Sequence, residues 1–206
     1  MMTTSADSGP EELLGLARAG DALALGQLLE LYRNYLTLLA RLQISRRLQG
    51  KVDPADLVQE TFLAASRAWP RFQGTSEGEL VHWLRQILAT HLANLLRHYL
   101  GTRCRDIRLE RDLAAEMDQS SRFLDRGLLA RQSSPSQQAA RREQAVLLAD
   151  ALGRLPEDYR EVLILRHLEG LSFPEVAQRL GRTVDSVKKL WARGLDRLRR
   201  SLGGVA

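Results

Sequence analysis

Between Arg182 and Leu202 the chain carries seven basic residues, Arg182, Lys188, Lys189, Arg193, Arg197, Arg199 and Arg200, against two acidic ones, Asp185 and Asp196. The excess of five equals the formal net charge of the whole chain, +5. A merely solvated helix face interleaves its signs, so this concentration suits a polyanion, and neutralising phosphates is the chemistry it offers. Spacing supplies the geometry. Val187, Leu190, Trp191, Leu195 and Leu198 recur at intervals of three and four as one apolar stripe, and Lys188, Lys189, Ala192, Arg193 and Arg197 fall largely off it.

Other groups invite other chemistry. Asp56, Gln59 and Glu60 stand at i, i+3 and i+4, a polar ridge able to present carboxylates to basic side chains of a partner. From His82 to Arg108 there are five arginines and one acid, Asp106, which marks a second basic zone. The same stretch holds His82, His91 and His98, but metal sites prefer i, i+3 or i, i+4 pairs with carboxylate support, and no HExxH pattern, Gly-rich phosphate loop or nucleophile elbow is present. Catalysis is therefore not expected, nor a metal, nor a cofactor.

These residues need helices to position them. Ser172 with Glu175 forms a capping box, and Leu180-Gly181 closes that first helix because glycine tolerates the left-handed conformation. Thr183 caps the longer basic helix after it, so the two make a helix-turn-helix whose second member fits a major groove. Upstream, a short helix over Glu11–Ala19 breaks at Gly20, and Asp21 caps a long one with Leu25, Leu28, Leu29, Tyr32, Leu36 and Leu39 inside. Asp53 and Pro54 start the helix of the polar ridge, whose stripe is Val58, Thr61, Phe62, Ala65 and Trp69, and Pro70 ends it. After the loop PRFQGTSEG, Ser76 and Glu79 cap a helix from about Leu80 to Leu100 that buries Trp83, Leu84, Ile87, Leu88, Leu92, Leu95 and Tyr99. Residues 106–140 lose periodicity and read as a linker, with QSSPSQQ at 132–138. Ala139–Leu152 and Pro156–Leu168 are two further helices.

The fold class this predicts is all-α, two small helical domains joined by a flexible linker, with a loose tail over 1–10 and boundaries at 11–105, 106–138 and 139–206. With 44% hydrophobic and 27% charged residues the chain is globular. No apolar run is long enough to span a membrane, the N-terminus MMTTSADSGPEE is unlike a signal peptide, and the lone Cys104 excludes an intrachain disulfide or a cysteine zinc cluster. A cytoplasmic protein is expected.

Three blocks, DPADLVQETFLAASRAW, then RFQG with WLRQILATHLANLLRHY, then LPEDYREVLILRHLEGLSFPEVAQRLGRTVDSVKKLWARGLDRLR, in this order resemble the RNA polymerase sigma factors, specifically the small extracytoplasmic-function (ECF) subfamily that keeps only domains two and four. The resemblance covers roughly residues 12–105 and 140–202. It implies docking of Asp56, Gln59 and Glu60 on the coiled coil of the largest polymerase subunit, and contact with the polymerase flap. It places Trp83, Arg85, Gln86 and Thr90 in the region that holds the non-template strand of the minus-ten element, Trp83 being more a core aromatic than a contact. It places Arg182, Thr183, Ser186, Lys188, Lys189, Ala192 and Arg193 at the reader of the minus-thirty-five element. Three positions depart from the family: Thr90 where Asn is frequent, Asn94 where Asp is frequent, and Leu190 where a basic or polar residue is frequent. The implied function is an alternative sigma factor that binds core polymerase and promoter DNA, with an anti-sigma factor as a candidate further partner. The rival is a helix-turn-helix regulator that acts on duplex DNA without core polymerase.

Overall fold

A computed structural model describes residues 9–47, 52–100, 107–125 and 136–203, and among them the chain is helical with no strand. The tail over residues 1–8, most of the QSSPSQQ stretch, and Cys104 with its neighbouring arginines lie outside the described residues, as does the side chain of Tyr99.

The first bundle begins with α1 (Pro10–Arg18) and α2 (Ala22–Leu31). The Asp21 carboxylate accepts from the Leu23 and Ala24 amides at 2.8 and 3.1 Å, the cap its position predicts. The long helix expected after Asp21 is two: Tyr32 leaves helical geometry (φ −99°, ψ 1°) before α3 (Arg33–Arg47). The apolar spacing carries across this break, because Tyr32, Leu36 and Leu39 are all buried with Leu28 and Leu29. Next, α4 (Pro54–Ala68) starts at Asp53, whose side chain accepts from the Ala55 amide at 2.8 Å. Its buried residues are Leu57, Val58, Thr61, Phe62 and Ala65, adding Leu57 to the predicted stripe and leaving Trp69 half-buried.

A 3-10 turn at Trp69–Arg71 leads into the loop before α5 (Glu77–Leu100), which begins about a turn earlier than the expected Leu80. The cap is the predicted one. The Glu79 carboxylate accepts from the Ser76 amide and hydroxyl at 3.0 and 2.9 Å and from the Thr75 amide at 2.8 Å, and these bonds hold it below the usual carboxylate range. Gly74 is required by its neighbour: a Cβ there would lie 2.3 Å from the Phe72 ring, which folds across it.

The stretch expected to lack periodicity instead carries α6 (Ile107–Asp125), and this is a correction to the linker reading. Leu109, Leu113 and Met117 recur every four residues, and the last two are fully buried. The interleaved charges and the serine pair hide that stripe until the neighbours are in place. α6 lies against α5, α3 and α7 (Ser136–Gly153). Ala145, Leu148, Ala149 and Leu152 of α7 join the core of the first bundle, so that core runs on into the second half of the chain.

Last come α8 (Glu157–Leu163), α9 (Phe173–Leu180) and α10 (Val184–Gly203). Beyond α8 the helix widens over Ile164–Leu168, where the Glu169 amide donates to the Ile164 carbonyl at 3.0 Å, five residues back. Leu163 and Ile164 face the large core, while Val162 and Leu165 join Val176, Ala177 and Val187 in a small second one. At roughly 1.5–3 kcal/mol per buried aliphatic side chain, that second core is enough to fix two short helices and little more.

Candidate nucleic-acid interface and docking face

The helix-turn-helix is built as its caps predict. The Glu175 carboxylate accepts from the Ser172 amide and hydroxyl at 2.7 and 2.6 Å, which lowers its pKa. Gly181 takes the left-handed conformation (φ 61°) that turns the chain. The Thr183 hydroxyl oxygen accepts from the Ser186 amide at 3.2 Å, so Thr183 caps α10. Val187 is buried, and Leu190 packs against the second core, which is why an apolar residue is tolerated there.

The predicted DNA-facing residues do share one surface. Thr183, Lys188, Lys189, Ala192 and Arg193 are exposed and Ser186 is half-buried. Arg182 is exposed but committed, its guanidinium donating to both Asp158 oxygens at 2.8 and 2.9 Å, so it ties α8 to the turn. Lys189 pairs with Asp185 at 2.7 Å between two exposed side chains, a contact that solvent makes weak and that lowers the Asp185 pKa. The Lys188 ammonium lies 5.9 Å from the centre of the Phe173 ring.

Trp191 joins this surface to the rest of the molecule. Its indole N–H donates to Nε2 of His167 at 2.9 Å, and its ring meets Phe173 edge-on at 5.5 Å. Burial, then the charge of Arg166, pushes the His167 pKa below its ordinary 6.5 and favours the neutral ring that can accept this bond. Neither His167 nor this bond is legible from helical spacing.

On the first bundle, Asp56, Gln59 and Glu60 are exposed along α4, directly behind the buried Leu57 and Val58. Leu63, one turn further on, is 51% exposed and extends the ridge with an apolar step that the spacing argument missed. Gln59 accepts from Arg33 at 3.3 Å, and Glu60 lies 3.6 Å from Nδ1 of His91 on α5.

Along α5 the side chains of His82, Gln86, Thr90, Asn94 and His98 form an exposed row at intervals of four. Gln86 and Thr90 therefore stand where expected. Trp83 is half-buried in an aromatic group, 4.7 Å from Phe72 and 6.1 Å from Trp69. Arg85 departs from expectation: it is turned away from the row, 3.1 Å from Asp118 of α6 and donating to the Tyr35 hydroxyl at 3.1 Å. Among the described residues no group of three or more His, Cys, Asp or Glu side chains is placed to hold a metal ion. No helix there is long and apolar enough to cross a membrane.

Comparison with known proteins bears on these surfaces. Residues 31–99 match the family model of sigma-70 region 2, and residues 145–198 match that of sigma-70, region 4. The chain is 28% identical to an ECF RNA polymerase sigma-E factor of Haemophilus influenzae, over 86% of this chain and 87% of that one. It is 33% identical to the ECF RNA polymerase sigma factor BldN of Streptomyces coelicolor, over 93% of this chain but 65% of that longer protein. Among solved structures it is similar to CnrH in complex with the cytosolic domain of CnrY, at 27% identity, 96% and 99% coverage and a TM-score of 0.33.

Proposed function

The chain belongs to the sigma-70 family of RNA polymerase sigma factors, within the ECF subfamily, and from that premise we propose how its surfaces divide the work of an alternative sigma factor. The α4 ridge of Asp56, Gln59 and Glu60 docks on basic side chains of core RNA polymerase at the largest-subunit coiled coil. The row of Gln86 and Thr90 on α5, with the loop ending at Gly74, holds the displaced strand of the minus-ten element. The Trp69, Phe72 and Trp83 rings stiffen that loop from beneath. Melted bases need both a stacking or pocketing surface and cations for their phosphates.

The α10 face reads the minus-thirty-five element from the major groove. Arg193 can fork onto a guanine edge, whereas Lys188 and Lys189 suit phosphates, which add affinity without sequence information. The protein acts by binding and not by catalysis, as a cytoplasmic partner of polymerase, and an anti-sigma factor would act by covering these same faces. One observation supports this reading above the others: a single chain presents an exposed acidic ridge on a firmly packed helix together with an exposed basic helix in a separate helix-turn-helix.

Run-off transcription with and without core polymerase tests it. A sigma factor directs specific starts only with core enzyme. Tight binding to a duplex operator by the protein alone, with no start site in the presence of core, would establish the helix-turn-helix regulator instead.

A further inference from the structure

The exposed row on α5, His82, Gln86, Thr90, Asn94 and His98, contains no lysine or arginine. A surface that tracks a single strand draws most of its affinity from cations placed against phosphates. The arginines that flank this row are Arg85 and Arg97, and both are engaged by α6. Arg97 donates to Glu110 at 3.0 Å, and Arg85 lies 3.1 Å from Asp118, with side-chain exposures of 15% and 13%. The pairs run antiparallel, the later arginine with the earlier acid, so they clasp the two ends of one helix-on-helix contact. Between them Leu113 and Met117 are fully buried. Arg97 also donates to Asn94, which puts its guanidinium at the edge of the row itself.

Taking α5 as the strand-holding face, as proposed above, we infer that α6 is a tethered competitor of nucleic acid: Glu110 and Asp118 occupy the two guanidinium groups that single-stranded DNA phosphates would otherwise engage. Carboxylate and phosphate oxygens satisfy a guanidinium through the same charge-assisted geometry, so each arginine serves one or the other. Arg85 keeps its bond to the Tyr35 hydroxyl on α3 when Asp118 leaves, and is thereby left aimed and not collapsed. Because α6 also lies against α7, its displacement loosens the attachment of the second half of the chain to the first.

The test compares the full-length protein with its E110Q/D118N variant, whose amides keep the size of the carboxylates. Binding of a fluorescent single-stranded oligonucleotide is followed by anisotropy across a salt series without core polymerase. The variant is expected to bind on the order of fivefold tighter, and its plot of log affinity against log salt to steepen by about 0.7 for each arginine released, about 1.4 in all. Adding R85Q and R97Q to that background is expected to return the slope to wild type. An unchanged slope and affinity in a variant that melts like wild type would overturn the proposal.

Hydrogen exchange of the wild-type chain gives a second reading should the variant fold poorly. Amides of 107–125 lose protection on oligonucleotide binding if α6 is displaced, and retained protection in the bound state overturns the idea. Run-off transcription of the wild type with core enzyme is measured in parallel. Its failure counts against the sigma assignment, while the salt slopes still decide whether α6 guards the arginines.

Discussion

On α10 the cations Lys188, Lys189 and Arg193 stand in solvent on a helix fixed from behind by Val187 and Trp191. On α5 the two arginines, Arg85 and Arg97, are nearly covered and paired to acids of the next helix. Both helices are of the kind that meets nucleic acid, yet one is ready for a duplex and the other is engaged by its own chain. The difference follows from what each must recognise. A major groove exists before the protein arrives, whereas a single strand appears only when DNA opens, and basic groups left bare for it would attract any passing polyanion.

The contrast can be broken at several points, the largest effect first. Trp191→Ala removes a ring that packs on Phe173 and donates to His167, and is expected to cost about 3 kcal/mol in a urea melt. A wild-type midpoint would mean α10 is not fixed from behind. Asp56→Arg with Glu60→Arg inverts the α4 ridge and should weaken binding to core polymerase tenfold or more, about 1.4 kcal/mol, with helical content intact; co-purification with core enzyme reads it. Arg193→Ala should cost about 1–3 kcal/mol at a cognate upstream element and less elsewhere. Lys189→Ala should instead lower affinity evenly across sequences and reduce the salt slope by about one, since phosphates carry no code.

The smallest effect sharpens the account of Trp191. His167 is held neutral below its ordinary value of 6.5, so the folded state binds fewer protons than the unfolded chain as the solution is acidified. Its contribution is complete above that ordinary value and is lost as pH falls towards the lower folded one. The melting temperature should therefore drop over that window in the wild type. His167→Gln, which keeps an acceptor for the indole but does not titrate, should flatten that part of the profile.

Local grammar carried much of this structure into view. Asp21, Asp53, Ser76, Ser172 and Thr183 each cap the helix they were expected to cap, because a cap is decided within three residues. The exposed positions of Asp56, Gln59, Glu60, Gln86, Thr90 and the α10 cations follow from helical phase in the same way. What escaped depends on distant neighbours. α6 looked like linker because its stripe of Leu109, Leu113 and Met117 is thin and becomes meaningful only against α5. Arg85 has the phase of an edge residue, and only the arrival of Asp118, more than thirty positions later, draws it inward. The Trp191–His167 bond joins two helices whose separation no periodicity encodes.

The widened turn at Ile164–Leu168 gives the molecule an unusual sensitivity to length. It stores one surplus residue in the rod that joins the larger core to the DNA reader. Deleting any one of those five would let the rod relax to ordinary winding, and everything after it would swing by about 100° and retract by about 1.5 Å. The azimuth of α10 relative to the bundle is thus set by a count, not by the strength of any contact, and a loss of one codon there would aim an intact reader at the wrong side of the double helix.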